Sequence, residues 1–523
     1  MAQRQSAVFA GVAVCALAIL SACGGGKDGG TAPAAFSGGA VADEPQAALV
    51  ASEILDIGGT AADAAAALYF TLAVTMPATA GLGGGGMCVV YDPKLNRIEA
   101  LDFVARAPVE GGSVALPGNA AGMFALQGKY GRLRWAQVVA PAERMARDGV
   151  RVSRAMAADI AKFAGPSDPA IGRPFIRADG TPYGEGDVLV QNELAAVLTV
   201  LRTRGTVGFH EGPLGEQFTR GVAALGGRFT SADLRQVWPA FRATIPVRYG
   251  GLTLHFAPPP ATDGLASAQM WRVLEPRWRR AREEERPHLL AEAGLRVAAA
   301  RDRWERPDHS VTVSPGLLID DREIDAAMAS FQPDRRIPPA SLRTPGNRPA
   351  GDSPASAFVV ADSGGGAVAC AVSLYKPFGV GRLIAGLGFA PAAVPDGAGA
   401  GPQVFAPMVA VRGSAGEFVM AAAATGGPPA VSALTEVMLG ALVDERSLDE
   451  AMSAPRVFFS GVPDTVLVED SGVELNRLGY RTERGPALGR VNAILCPGGL
   501  VAAPARCQFR ADRRGSGLGT SGL

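Results

Sequence analysis

The chain has 523 residues, 48% hydrophobic and 19% charged, enough apolar material for a large packed core. Fifty Lys plus Arg balance fifty Asp plus Glu, which excludes an electrostatic nucleic-acid partner because such a partner needs a basic surface. The 67 glycines and 39 prolines signal many tight turns but follow no collagen-like period.

The first element is an address. Arg4 precedes an apolar run from Ala7 to Leu20, and Leu20-Ser21-Ala22-Cys23 follows. A basic start, a short apolar stretch and a small-residue site predict a secretory signal peptide over residues 1–22. The run is too short for a comfortable membrane span. Leu-Ser-Ala-Cys resembles a bacterial lipobox, which makes Cys23 the lipidated first residue of the mature chain. An ordinary signal peptide with a chance cysteine is the alternative. Gly24-Gly25-Gly26-Lys27-Asp28-Gly29-Gly30 then reads as part of a flexible tether, assigned to residues 23–41. The expected location is the bacterial cell envelope, lipid-anchored and facing the periplasm.

Helices are predicted over Gln46–Leu55 and Ala61–Val74, the second capped by Thr60 without the Glu of a capping box. Gly81, Gly83 and Gly86 satisfy a G-x-G-x-x-G spacing. A dinucleotide fingerprint, however, needs a strand before the glycines and a helix after them. Here the order is helix, glycines, strand, with Met87–Tyr91 and Ile98–Phe103 as paired strands, so the glycines are read as allowing close backbone approach near a cleft. Residues 115–345 read as mostly helical, and 335–355 as a polar, Pro-rich linker. The run Arg277–Arg286 is a solvated helix face, interrupted by Glu283, Glu284 and Glu285.

Past the linker, Ser353-Pro354-Ala355-Ser356-Ala357-Phe358-Val359-Val360-Ala361-Asp362 leads into a strand. A turn at Gly364-Gly365-Gly366 joins it to a second strand ending at Ser373. Helices follow over Pro428–Val443 and Leu448–Met452. In an exported chain, Cys496 and Cys507 are predicted to bridge a hairpin. Cys88 and Cys370 lie inside apolar runs and read as buried free thiols. No Cys-x-x-Cys occurs, and His210, His255, His288 and His309 are widely separated, so neither a metal site nor a cofactor is expected.

Several segments resemble the γ-glutamyltransferases, which are N-terminal-nucleophile (Ntn) hydrolases. Gly58-Gly59-Thr60-Ala61-Ala62-Asp63-Ala64-Ala65 is similar to the family's "GGNAVDAAVA", Gly81–Met87 to "GIGGGGF" and Pro117–Gly122 to "PGTVAG". Pro258–Gly264 is similar to "PPPSSGG" and Leu448–Arg456 to "LxEAxxAPR", all in the same chain order from about residue 42 onward. The resemblance implies an α+β fold, a four-layer αββα sandwich with two central antiparallel sheets. It also implies self-cleavage into a large region (42–355) and a small region (356–523) that stay associated.

An N-terminal hydroxyl nucleophile uses its own freed amine as base and needs no histidine. The family's "TTHFSVVD" aligns on Ala355–Asp362, placing its catalytic threonine at Ala355 and its second threonine at Ser356. A one-residue shift makes Ser356 the candidate nucleophile; Ser353 is the poorer choice because Pro354 follows it. Ser373 matches a threonine that bonds the nucleophile, and Gly426-Gly427 match the family's oxyanion-hole glycines. For substrate binding the resemblance points to Arg106, displaced two residues (about 6–7 Å) from the family arginine, and to Asp396. An asparagine of the family is replaced by Tyr375, and its paired serines by Val404 and Phe405. The implied activity is an amidohydrolase or acyltransferase acting on γ-glutamyl or related small amides. The alternative is a non-catalytic envelope lipoprotein that keeps a ligand in the old cleft.

Overall fold

The structure is a computed structural model. It describes all residues except 1–35, 164–173, 307–309, 343–354, 395–404, 414–415, 471–472, 486 and 523. Cys23, Ser353, Asp396, Val404 and His309 therefore lie outside the described residues.

Two antiparallel sheets form the centre. The strands in chain order are β1 (Gly38–Ala42), β2 (Gly85–Asp92), β3 (Arg97–Phe103), β4 (Val150–Arg151), β5 (Val188–Leu189) and β6 (Ala240–Arg242). Then come β7 (Ile245–Tyr249), β8 (Leu252–Phe256), β9 (Ala355–Asp362), β10 (Ala367–Ser373), β11 (Ala406–Arg412) and β12 (Glu417–Thr425). The last are β13 (Val457–Phe458), β14 (Val466–Val468), β15 (Thr482–Arg484), β16 (Arg490–Leu495), β17 (Gln508–Arg510) and β18 (Leu518–Ser521). The first sheet runs β18-β1-β9-β10-β2-β3-β6 and the second β17-β16-β12-β11-β8-β7. β4–β5 and β13–β15 form small separate sheets.

Alternation along the strands splits the core into three layers. Val89, Val359, Ala361, Val409, Ala421 and Ile494 fill the space between the two sheets. Phe358, Val360 and Val368 pack instead under the helices of the first sheet, and Leu254, Met408 and Ala422 under those of the second. The expected four-layer αββα sandwich is what these layers build.

Helix α1 (Pro45–Asp56) and helix α2 (Ala61–Thr75) cover the first sheet. All of α2 is buried. A helix apolar on every side belongs in an interior, and its alanines let it lie close to the strands. Its start is a capping box after all: Thr60 Oγ1 accepts from Asp63 N, and Asp63 supplies the carboxylate a Glu was expected to provide. A short helix α3 (Pro77–Ala80) and then α4 (Asn119–Tyr130) flank the glycine run. Among the described residues no helix is long and apolar enough to cross a membrane.

Two expectations need correction and a third needs refining. Residues 38–41, assigned to the tether, are strand β1, held between β9 and β18. The stretch 115–345 is mostly helical, but the short strands β4 to β8 also lie within it, and β7 and β8 form part of the second sheet. Cys88 and Cys370 are not free thiols but a disulfide, because they stand directly opposite each other on β2 and β10 with Cα atoms 4.1 Å apart. The bridge between Cys496 and Cys507 is present.

Candidate active site

The site is built where β9 begins. Ala357, Val359 and Ala361 face the space between the sheets, so the period of two puts Ala355 on that face and Ser356 on the opposite one. The contacts agree. Ser356 is fully buried on the helix side, with its Oγ 2.7 Å from Thr79 Oγ1 of α3. Ser373 pairs with Ala355 across the β9–β10 ladder, while Ser356 pairs with Val372. Directly paired residues share a face, so Ser373 stands beside the Ala355 methyl and not beside the Ser356 hydroxyl. Ser373 Oγ accepts from Tyr375 N at 2.9 Å.

Beyond Ala42, β1 leaves β9 and side chains take over its pairing. Asp43 Oδ2 accepts from Ala357 N at 2.9 Å, and Asn492 Nδ2 donates to Asp43 Oδ1 at 2.9 Å and to Ala357 O at 2.8 Å. Burial pushes the Asp43 carboxyl above its ordinary range, against the pull of Arg490. No local motif announces this clamp, since Asp43 and Asn492 are far apart in sequence.

The second sheet supplies the opposing wall. Phe509 pairs with Ile494 and packs so closely on Gly39 that a Cβ there would come within 2.4 Å of its ring. Gly39 in turn pairs with Ala361. The course from Ile494 through Asn492 to Arg490 therefore runs along β9 toward Ala355, and Arg490 pairs with Thr425. Thr425, two residues past Ala423, faces between the sheets at that end; its Oγ1 is buried with no hydrogen-bond partner among the described residues. Gly426 and Gly427 follow with φ of +106° and +73°, a left-handed turn that favours glycine, before the helix Ala430–Met438.

Arg456 holds this turn in place. It donates to Leu488 O (3.1 Å) and Gly489 O (2.7 Å), and pairs with Asp512 at 2.5 Å. Gly489 lies directly against Gly426, where an added Cβ would sit 2.8 Å from the Gly489 Cα. Arg456 belongs to the "LxEAxxAPR"-like segment, so the sequence marked it, but only the structure gives it a positioning role.

The glycine run of residues 81–86 does permit close approach: a Cβ on Gly84 would lie 2.4 Å from Ser373 O, and one on Gly85 1.9 Å from Ala105 N. Arg106 sits past the end of β3, so strand alternation does not govern it. Its Nη2 donates to the buried Asp102 at 2.7 Å, which also takes Arg242 Nε at 2.8 Å. Nη1 donates to Val104 O, and 35% of the side chain remains exposed. Tyr375, at φ +74°, donates its hydroxyl to Ala105 O at 2.5 Å and packs against Ala105, Ala115, Leu374 and Ala392. Burial raises its phenol well above the ordinary value. The structure thus pairs Ala355 with Ser373 and sets Thr425 and the paired glycines on the facing sheet, toward the same end. Ser356 is set on the other side of the strand, and Arg106 is engaged with its own carboxylate.

The sequence matches the family described as gamma-glutamyltranspeptidase over residues 47–391. It is 26% identical over 501 residues to the glutathione hydrolase proenzyme of Escherichia coli K12, covering 85% of this chain and 86% of that protein. With the glutathione hydrolase proenzyme of Bacillus subtilis 168 it shares 28% identity over 272 residues, 48% of this chain and 45% of that one. The chain thus spans most of the first relative and about half of the second. The crystal structure of a cephalosporin acylase from Bacillus halodurans superposes with a TM-score of 0.76 at 20% identity, over 93% of this chain and 96% of that one, a likeness of fold.

Proposed function

Because the chain belongs to the gamma-glutamyltranspeptidase family and has the fold of the Ntn hydrolases, we propose that it binds a small amide or γ-glutamyl-like compound at the end of the sandwich marked by Ala355 and the Gly426-Gly427 turn, without the family's self-generated nucleophile. One observation carries this reading: the residue beside Ser373, on the face and at the end of the sandwich where Gly426 and Gly427 turn, is Ala355. A methyl group cannot attack a carbonyl. The glycine turn, held by Arg456, remains a rigid platform for a carbonyl or carboxylate oxygen. Arg106, already satisfied by Asp102, is poorly placed to grip an α-carboxylate as well.

A second reading keeps Ser356 as nucleophile after a cut before it. It is favoured by the Ser356–Thr79 hydroxyl pair at 2.7 Å, a route by which a proton could leave the serine. It requires the first residues of β9 to turn over, exchanging the faces of Ala355 and Ser356. The two readings separate in an assay with γ-glutamyl-p-nitroanilide. The binding reading expects no p-nitroaniline above the buffer rate. Release that vanishes in Ser356→Ala would favour the second.

The lipid-anchored, periplasm-facing location suggested by Leu20–Cys23 belongs to the same proposal. It is supported by two disulfides, which persist in oxidising compartments.

A further inference from the structure

The β9–β10 hairpin comes after the stretch 343–354, yet it does not start a sheet of its own. It is inserted between β1 and β2, so strands from before and after that stretch alternate across the first sheet. Cys370 lies in the middle of β10, directly opposite Cys88 in the middle of β2, and both are fully buried. Among the described residues this is the disulfide that crosses between the two segments. Cys496 and Cys507 are 11 residues apart, both in the later segment.

We propose that the Cys88–Cys370 bond is a covalent seam between the two segments, so that a cut anywhere in 343–354 releases neither. The ladder alone would hold the hairpin by backbone hydrogen bonds and packing, which denaturants and detergents dissolve. A sulfur–sulfur bond survives both and yields only to reductant. The seam also changes how processing is seen: without reductant, a cut chain and a whole chain run as one species. The inference does not depend on whether the chain cuts itself, so it stands or falls separately from the binding reading above.

The test uses a chemical cut that needs no folded site. No asparagine of the chain is followed by glycine, so Arg348→Gly, next to Asn347, creates a single hydroxylamine-sensitive Asn-Gly bond. The full mature variant is purified, its free thiols are blocked, and it is unfolded in guanidinium and cleaved with hydroxylamine. The expected result on a denaturing gel is one band of intact mass without reductant and two fragments with it. Two fragments without reductant would overturn the proposal. So would a band still intact without reductant after the same treatment of a chain that also carries Cys88→Ser and Cys370→Ser.

Discussion

Ser356 and Ala355 are neighbours with opposite fates, because a strand sends successive side chains to opposite faces. The hydroxyl is fixed to Thr79 under the helices, and the methyl is buried on the face turned to the second sheet. Ser356→Ala should therefore leave the chain's length unchanged and cost about 1 kcal/mol, the usual worth of one buried hydrogen bond. Urea unfolding measures the loss; a loss of several kcal/mol, or a change in fragment pattern, would speak against the placement. The sequence made both residues visible, together with Ser373 and the paired glycines, through their order in the motif. It could not show which of them meet. β9 is buried on both faces, so no polar–apolar alternation in its sequence marks which face Ala355 and Ser356 take; the packing partners show it.

At the level of elements, the helix Ala430–Met438 couples the glycine turn to a buried charge cluster. Burial pushes the Glu436 carboxyl up to about 8, with Arg456 and the Val457 backbone pulling it down and Glu469 adding to the rise. A carboxyl that is neutral when folded but ionised when unfolded gives stability below its unfolded value of about 4.5, and that stability drains away as pH climbs toward 8. Two histidines act in the opposite sense at lower pH. Burial lowers His210 and His255 to about 4, so their contribution is complete above their unfolded value of about 6.5. Between pH 6.5 and 8 the Glu436 effect remains alone among these three, on the order of 2 kcal/mol. Glu436→Gln should flatten the fall in urea midpoint across that window; an unchanged slope would remove Glu436 from the account. Most elements were readable from pattern, and the helix from Ala430 and strand β10 lie close to where the sequence puts them. β7 and β8 were missed although Ile245-x-Val247-x-Tyr249 and Leu252-x-Leu254-x-Phe256 alternate around Gly250-Gly251. Pro246 and His255 diluted a signal that was there.

For the molecule as a whole, the family-like segments implied the sandwich through the resemblance they carry, and some mark close approaches, as where a Cβ on Gly118 would meet Phe103 O and one on Gly264 would meet Ala257 O. What stayed hidden was long-range pairing. The Asp43–Asn492 clamp and the Cys88–Cys370 bond join residues whose local sequences say only "helix start" or "apolar strand". On the proposed reading the chain is an acyl-transfer scaffold without its attacking group: glycine turn and supporting arginine are kept, and the Ala355 methyl takes the place of the family's hydroxyl. The most direct test is the intact mass of the mature protein after prolonged incubation, reduced so that the sulfur bond cannot mask a break. The account predicts one undivided polypeptide. Two polypeptides, the smaller beginning at Ser356, would contradict it.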